Sequence, residues 1–269
     1  FAGAPKKSAV LNFAMFVLFV AGLAVLIKAG ENPEREPVKV IFDTDMHDDF
    51  DDVGALACLH ALADAGECEI IATCVSTSDG QTSPALAQAP SVPTVEIINA
   101  YYGRSDIPVG ATHKTLPVDV SSFTKTIGYL SSFVKSWTPA PAHFGSMAVE
   151  DAVTVYRRAL ANAPDGSVTI CSTGFLSNLG QLLDSPADSI SELTGRQLVA
   201  KKVKALYAMS CMIPNGREFN TYTDSAASKN VVDNWPTDIY FLTSNYGDNV
   251  HSGLPVSKLD TAKNPVAAI

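Results

Sequence analysis

From residue 38 onward, short apolar runs rich in β-branched residues alternate with longer stretches in which apolar positions recur every three to four residues. The short runs predict strands at Val38 to Phe42, Glu69 to Val75, Ile107 to Val109, Ser167 to Cys171, Val203 to Met209 and Ile239 to Leu242. The longer stretches predict helices at Val53 to Leu62, Phe123 to Trp137, Ala148 to Ala163, Leu176 to Leu183, Ser191 to Lys201 and Ser225 to Trp235. Three prolines between Ser83 and Pro93 predict a loop that interrupts any helix there. Strands alternating with helices predict an α/β fold: a doubly wound, mostly parallel sheet with helices on both faces.

Before residue 38 the pattern changes. Ala9 to Ile27 is an apolar run in which Asn12 is the one clearly polar residue, preceded by Lys6 and Lys7 and followed by the Glu- and Pro-rich stretch Glu31 to Pro37. As a helix this run measures about 28 Å, close to a bilayer core. Residues 1–37 therefore read as a signal peptide or membrane anchor with a short linker, and residues 38–269 as one domain. The basic flank orients that domain outside the cytoplasm, exported or anchored by residues 9–27.

The densest chemistry lies between the first strand and the first helix. Asp43-Thr44-Asp45-Met46-His47-Asp48-Asp49-Phe50-Asp51-Asp52 carries six carboxylates in ten residues. In an open α/β sheet such a loop borders the crevice where ligands bind. Crowded carboxylates raise one another's pKa unless a cation or several donors compensate them. An all-oxygen set with one histidine suits Ca²⁺ or Mg²⁺ rather than zinc. Plain helix-end acidity accounts for Asp51 and Asp52 and leaves four carboxylates over. Other polar residues follow later strands: Ser172 and Thr173, then Ser210, Asn215, Glu218 and Asn220, then Asn245. Glu218 and Asn220 have a second reading as capping or Asx-turn residues, and His47 and His251 read as surface histidines.

Charge and cysteines narrow the classes. A net charge of −9 without a basic stripe argues against a nucleic-acid partner. Five cysteines without metal-type spacing read as buried thiols.

Taken together, Asp43-Thr44-Asp45, Asp51-Asp52-Val53-Gly54-Ala55-Leu56, Asn99-Ala100-Tyr101-Tyr102-Gly103-Arg104-Ser105-Asp106-Ile107-Pro108, Thr169 to Asn178, and Arg217-Glu218-Phe219-Asn220 with Asp224 resemble the nucleoside hydrolase family, inosine-uridine preferring, in its bacterial exported branch. The resemblance spans residues 38 to about 266, with a spacer two residues longer than D-x-D-x-x-x-D-D. It implies calcium-dependent hydrolysis of the N-glycosidic bond of a ribonucleoside, a small-molecule substrate, and a homo-oligomer. By the same resemblance Asp45 is the catalytic base. Asp45, Asp52 and the Thr173 carbonyl hold Ca²⁺, and Asp51, Glu218 and Asn220 bind the ribose, with Asp43, Asp49 and Asn215 as further candidates. Two departures stand out. The segment Val75-Ser76-Thr77-Ser78-Asp79 lacks the asparagine the family places after its second strand. The family pattern also continues into a helix entry bearing a fourth ligating Asp, which the reading places beyond Ile269 together with the leaving-group acid. Two alternatives stay open: a non-catalytic ribose- or calcium-binding homologue, and a haloacid-dehalogenase-like phosphatase using Asp43 as nucleophile.

Overall fold

The computed structural model describes residues 36–46, 50–77, 90–117, 130, 132–139, 149–247 and 253–269. The proposed anchor at residues 9–27, residues 123–129 and 131 of the helix predicted over Phe123 to Trp137, His47, Asp48, Asp49 and His251 lie outside the described residues; residues 130 and 132–136 of that helix are helical. No helix among the described residues is long and apolar enough to cross a membrane.

Seven strands form one parallel sheet: β1 (Val38–Thr44), β2 (Cys68–Val75), β3 (Val109–Ala111), β4 (Glu150–Asp151), β5 (Val168–Ser172), β6 (Val203–Met209) and β7 (Asp238–Leu242). Their order is β4-β3-β2-β1-β5-β6-β7. The chain thus winds outward from β1 to one edge, returns to β5 on the other side of β1, and continues to the opposite edge. The crossovers diverge between β1 and β5, which is the switch point where such sheets open a crevice.

Because side chains alternate along a strand, β1 feeds two cores. Val40 and Phe42 pack with α1 (Asp51–Asp64) and α2 (Ser91–Tyr101), joined by Val266 of a short helix, Pro265–Ala268. Ile41 faces the other layer, built from α3 (Ala152–Asn162), α4 (Ser177–Asp184), α5 (Gly195–Lys202) and α7 (Ser225–Asn234), a helix that follows the five-residue α6 (Phe219–Thr223). This is the doubly wound α/β architecture.

The structure corrects several boundaries. Of the loop predicted between Ser83 and Pro93, residues 83–89 lie outside the described residues, and α2 starts at Ser91. Pro93 sits in the first turn, where its missing N–H breaks no helical bond. The strand predicted at Ile107 to Val109 pairs two residues later, at Val109–Ala111. The helix predicted from Ala148 is preceded by the two-residue β4 and starts at Ala152, capped by Asp151 accepting from Val153 N and Thr154 N. The helical stretch predicted from Ser191 begins only at Gly195, where Thr194 and Gln197 form a reciprocal capping box. Residues 188–193 are instead folded around buried Arg157, which donates to both carboxylate oxygens of Asp188 and to the Ser191 and Leu193 carbonyls. All five cysteines are free thiols; Cys68, Cys74 and Cys171 are buried, and Cys58 and Cys211 half-buried.

Part of the motif-like segment Asn99 to Pro108 joins helices. Arg104 Nη1 lies 3.4 Å from Nδ1 of buried His60, and His60 Nε2 lies 2.9 Å from Asn99 Oδ1. Since the guanidinium can only donate, the imidazole proton sits on Nε2 and is given to Asn99. Tyr102 stacks on the same ring at 4.6 Å, and Arg104 Nη2 donates to Asp64 at 2.7 Å. The cluster ties α1 to α2. Burial lowers the His60 pKa from 6.5 to about 4. The unfolded chain therefore takes up a proton between about 6.5 and 4 that the folded protein refuses, so stability falls as pH drops through that window. Between pH 7 and pH 5, urea unfolding is expected to show wild type losing about 2 kcal/mol more stability than His60→Gln. Equal losses would show that His60 does not carry this effect.

Candidate active site

The ends of β1, β2 and β5 meet at the switch point. Asp43 and Ser172 are register partners, and the Asp43 carbonyl accepts from Thr173 N at 2.8 Å. On the other flank the Thr44 carbonyl accepts from Ser76 N at 2.8 Å and Ser76 Oγ at 3.2 Å. Asp45 leaves the sheet between these two neighbours. Gly174 closes the gap: a Cβ there would lie 2.8 Å from Asp45 Cβ, 2.7 Å from Ser76 Oγ and closer still to the Asp45 amide nitrogen. Glycine is required because the two chains approach too closely for a side chain.

Asp51 and Asp52 open α1, where the helix dipole favours negative charge. Asp51 is half-buried and Asp52 buried. Asp52 Oδ1 accepts from Thr44 Oγ1 at 2.6 Å and from Thr173 Oγ1, while Thr44 Oγ1 accepts from Met46 N at 3.0 Å. Two hydroxyls from neighbouring strand ends therefore fix the Asp52 carboxylate, one of them on Thr44, the residue before half-buried Asp45. The Thr173 carbonyl accepts from buried Asn220 Nδ2 at 2.8 Å, which brings Asn220 to the same strand end.

Glu218 makes the capping contacts that its second reading describes. Its Oε1 accepts from Asn220 N at 2.8 Å, and its Oε2 from Thr221 N, Thr221 Oγ1 and Cys211 N at 2.9, 2.7 and 3.1 Å. It caps α6 and pins the chain leaving β6. Asn215 is exposed in the bend after β6, and Asp49 lies outside the described residues. Next to these residues stands an aromatic wall: Phe175 and Phe219 meet edge to face at 5.6 Å, Phe219 and Tyr222 at 5.3 Å, and the Arg217 guanidinium lies 3.9 Å over Tyr222.

Asp43 sits behind the crevice, fully buried, where Oδ2 accepts from Tyr156 Oη at 2.9 Å and Asn178 Nδ2 at 3.0 Å. Burial pushes its pKa up to about 7 against those two donors, with a smaller push from Asp52. A carboxylate enclosed this way cannot act as the exposed nucleophile of a haloacid-dehalogenase-like phosphatase. Sequence reasoning missed Tyr156, Asn178 and the hydroxyl of Thr44. Thr44 stood between two aspartates, but nothing in the spacing showed which way its hydroxyl turned. Buried Asp224 likewise anchors the rim, taking Lys114 Nζ, Ser177 Oγ at 3.0 Å and Ala227 N at 3.2 Å.

Asp45, Asp52 and the Thr173 carbonyl offer oxygen donors alone, the chemistry of a hard cation. Among the described residues no group of three or more His, Cys, Asp or Glu side chains could hold a metal ion. Two carboxylates and a main-chain carbonyl are a set of another kind, and the absence of sulfur or imidazole from it fits Ca²⁺ and disfavours zinc.

This architecture recurs in solved structures. The effector protein XOO4466 is similar at TM-score 0.63 and 16% identity, covering 84% of this chain and 61% of its own. The type III effector protein XopQ, complexed with adenosine diphosphate ribose, gives 0.62, 16%, 84% and 61%. A plant nucleoside hydrolase, PpNRh1, gives 0.51, 21%, 78% and 60%. At these identities the likeness is one of fold, and the chain spans about three fifths of the length of each. No curated protein sequence matches it. The family model described as inosine-uridine preferring nucleoside hydrolase matches residues 40–264, from inside β1 to the residue before the last helix, and so takes in the whole crevice. The chain belongs to the inosine-uridine preferring nucleoside hydrolase family.

Proposed function

We propose that this chain hydrolyses the N-glycosidic bond of ribonucleosides to ribose and free base, with Ca²⁺ held by Asp45, Asp52 and the Thr173 carbonyl. The observation that supports the reading is that Thr173 Oγ1 reaches Asp52 while the next residue, Gly174, packs against half-buried Asp45 at the β1–β5 switch point. Cleaving an N-ribosyl bond builds positive charge on the sugar ring, which nearby carboxylates stabilise. Bound Ca²⁺ would supply a lowered pKa to the attacking water. Asp45 accepts that water's proton. Asn220 commits its amide hydrogens to the Thr173 and Met209 carbonyls, which leaves its Oδ1 as the atom that would accept from a ribose hydroxyl. The Phe175–Phe219 wall offers an apolar face to the departing base.

A second reading is ribosyl binding without turnover, the alternative that the sequence already offers. A fold relative, XopQ, is known in complex with a ribosyl ligand, adenosine diphosphate ribose. The test is purified protein with a p-nitrophenyl riboside, with and without Ca²⁺, alongside calorimetry. Hydrolysis that needs Ca²⁺ and prefers ribose over deoxyribose is expected. Saturable riboside binding with no product would favour the second reading, and neither Ca²⁺ uptake nor thermal stabilisation by Ca²⁺ would remove the proposed metal set.

A further inference from the structure

We propose that Tyr156 and Asn178 are positioning residues that clamp Asp43 and thereby set where Asp45 leaves the sheet. The inference rests on the hydrolase reading for its kinetic consequence and on geometry alone for the clamp. Asp43, Tyr156 and Asn178 are each fully buried. They come from three separate elements, β1, α3 and α4, and both helices deliver a donor to the same oxygen, Asp43 Oδ2. A carboxylate taken out of water costs a great deal unless donors meet it, and an apolar residue at position 43 would need neither donor.

The placement along β1 gives the clamp its use. Asp43 and Thr44 are the last two residues of the strand, and their side chains point to opposite faces. Asp43 is held by the α3–α4 layer through Tyr156 and Asn178. Thr44 is held by the other layer, through Asp52 at the start of α1. The main chain at the same two positions is tied sideways, Asp43 O to Thr173 N and Thr44 O to Ser76 N. The strand end is therefore fixed from both faces and both edges immediately before Asp45. Loosening one face lets the strand end tilt, and Asp45 with it.

Three variants separate this from plain stability. Tyr156→Phe keeps the ring and removes the donor; Asn178→Leu removes the other donor; Leu160→Ala, also on α3, removes buried packing and leaves the clamp. Misplacement near a reacting centre costs up to about 10²-fold. Tyr156→Phe and Asn178→Leu are expected to lower kcat by about tenfold or more at little changed KM. In the same variants, amide exchange at Ser76 and Thr173 should speed up relative to the Val40 amide at the strand centre. Leu160→Ala should lower Tm and leave both ratios unchanged. Local exchange that tracks Val40 in both clamp variants overturns the proposal, whether or not kcat falls, and so does unaltered kcat in an active protein. Accelerated local exchange in the clamp variants of a protein whose wild type shows no hydrolysis would uphold the clamp and defeat the hydrolase reading.

Discussion

Replacing Asp45 by Asn is expected to lower riboside turnover by about 10²–10⁴, the usual cost of losing a general base. The amide keeps the size and one carbonyl oxygen of the original side chain, so packing beside Gly174 and Ser76 is preserved. What disappears is the capacity to take a proton and one unit of negative charge next to Asp52. Two measurements separate these losses. If Asp45 is the base, kcat falls at saturating Ca²⁺ and recovers in part only as pH rises and hydroxide takes over from the lost base. If its main contribution is to cation binding, raising Ca²⁺ restores turnover in part. Turnover equal to wild type at all Ca²⁺ concentrations would remove Asp45 from the mechanism.

Gly174→Ala is expected to cost about 10²-fold in activity although position 174 contributes no functional group. The added methyl would fall within 2.7 Å of Ser76 Oγ and 2.8 Å of Asp45 Cβ, and closer to the Asp45 amide. Those neighbours are main chain and short side chains tied into β1 and β2, so no flexible end can swing away. The ends of β1 and β5 must separate, carrying Asp45 away from Asp52 and from the Thr173 carbonyl. Overpacking of this kind costs about 1–3 kcal/mol of stability as well. Parallel measurement of Tm and of kcat with Ca²⁺ checks both. Full activity with a lowered Tm would show that the strand ends need not touch for catalysis.

The two predictions differ in how visible their residues were beforehand. Asp45 was legible because six carboxylates in ten residues cannot coexist without compensation, and because the run lies between a strand and a helix. Thr173 was legible as the end of a β-branched run. Gly174 followed it without any mark that distinguished it from a turn glycine, since the need for glycine comes from Asp45 and Ser76, roughly 100 to 130 residues away in sequence. Glu218 shows the reverse. Its place in Arg217-Glu218-Phe219-Asn220 suggested a sugar ligand through the family pattern, and local chemistry suggested a cap. The cap is what its hydrogen bonds show, while Asn220, two residues on, reaches the Thr173 strand end.

Hydrophobic periodicity depends on which face of each element is buried, so the sequence by itself determined the alternation of strands and helices, the parallel sheet with two helical layers, and the acidic loop at a strand end. Short-range competition set the errors at boundaries: Pro93 was tolerated in a first turn, and residues 188–193 gave up helix for bonds to Arg157. Pairings between distant residues were decided by tertiary structure. The strand order put β5 beside β1, which no local pattern encodes, and that single adjacency brought Thr173 to Asp52 and Asp43 under Asn178. Burial then split two aspartates two residues apart, because β1 ends at Thr44: Asp43 still lies within the sheet and is enclosed, while Asp45 lies past the strand end and is left half-exposed.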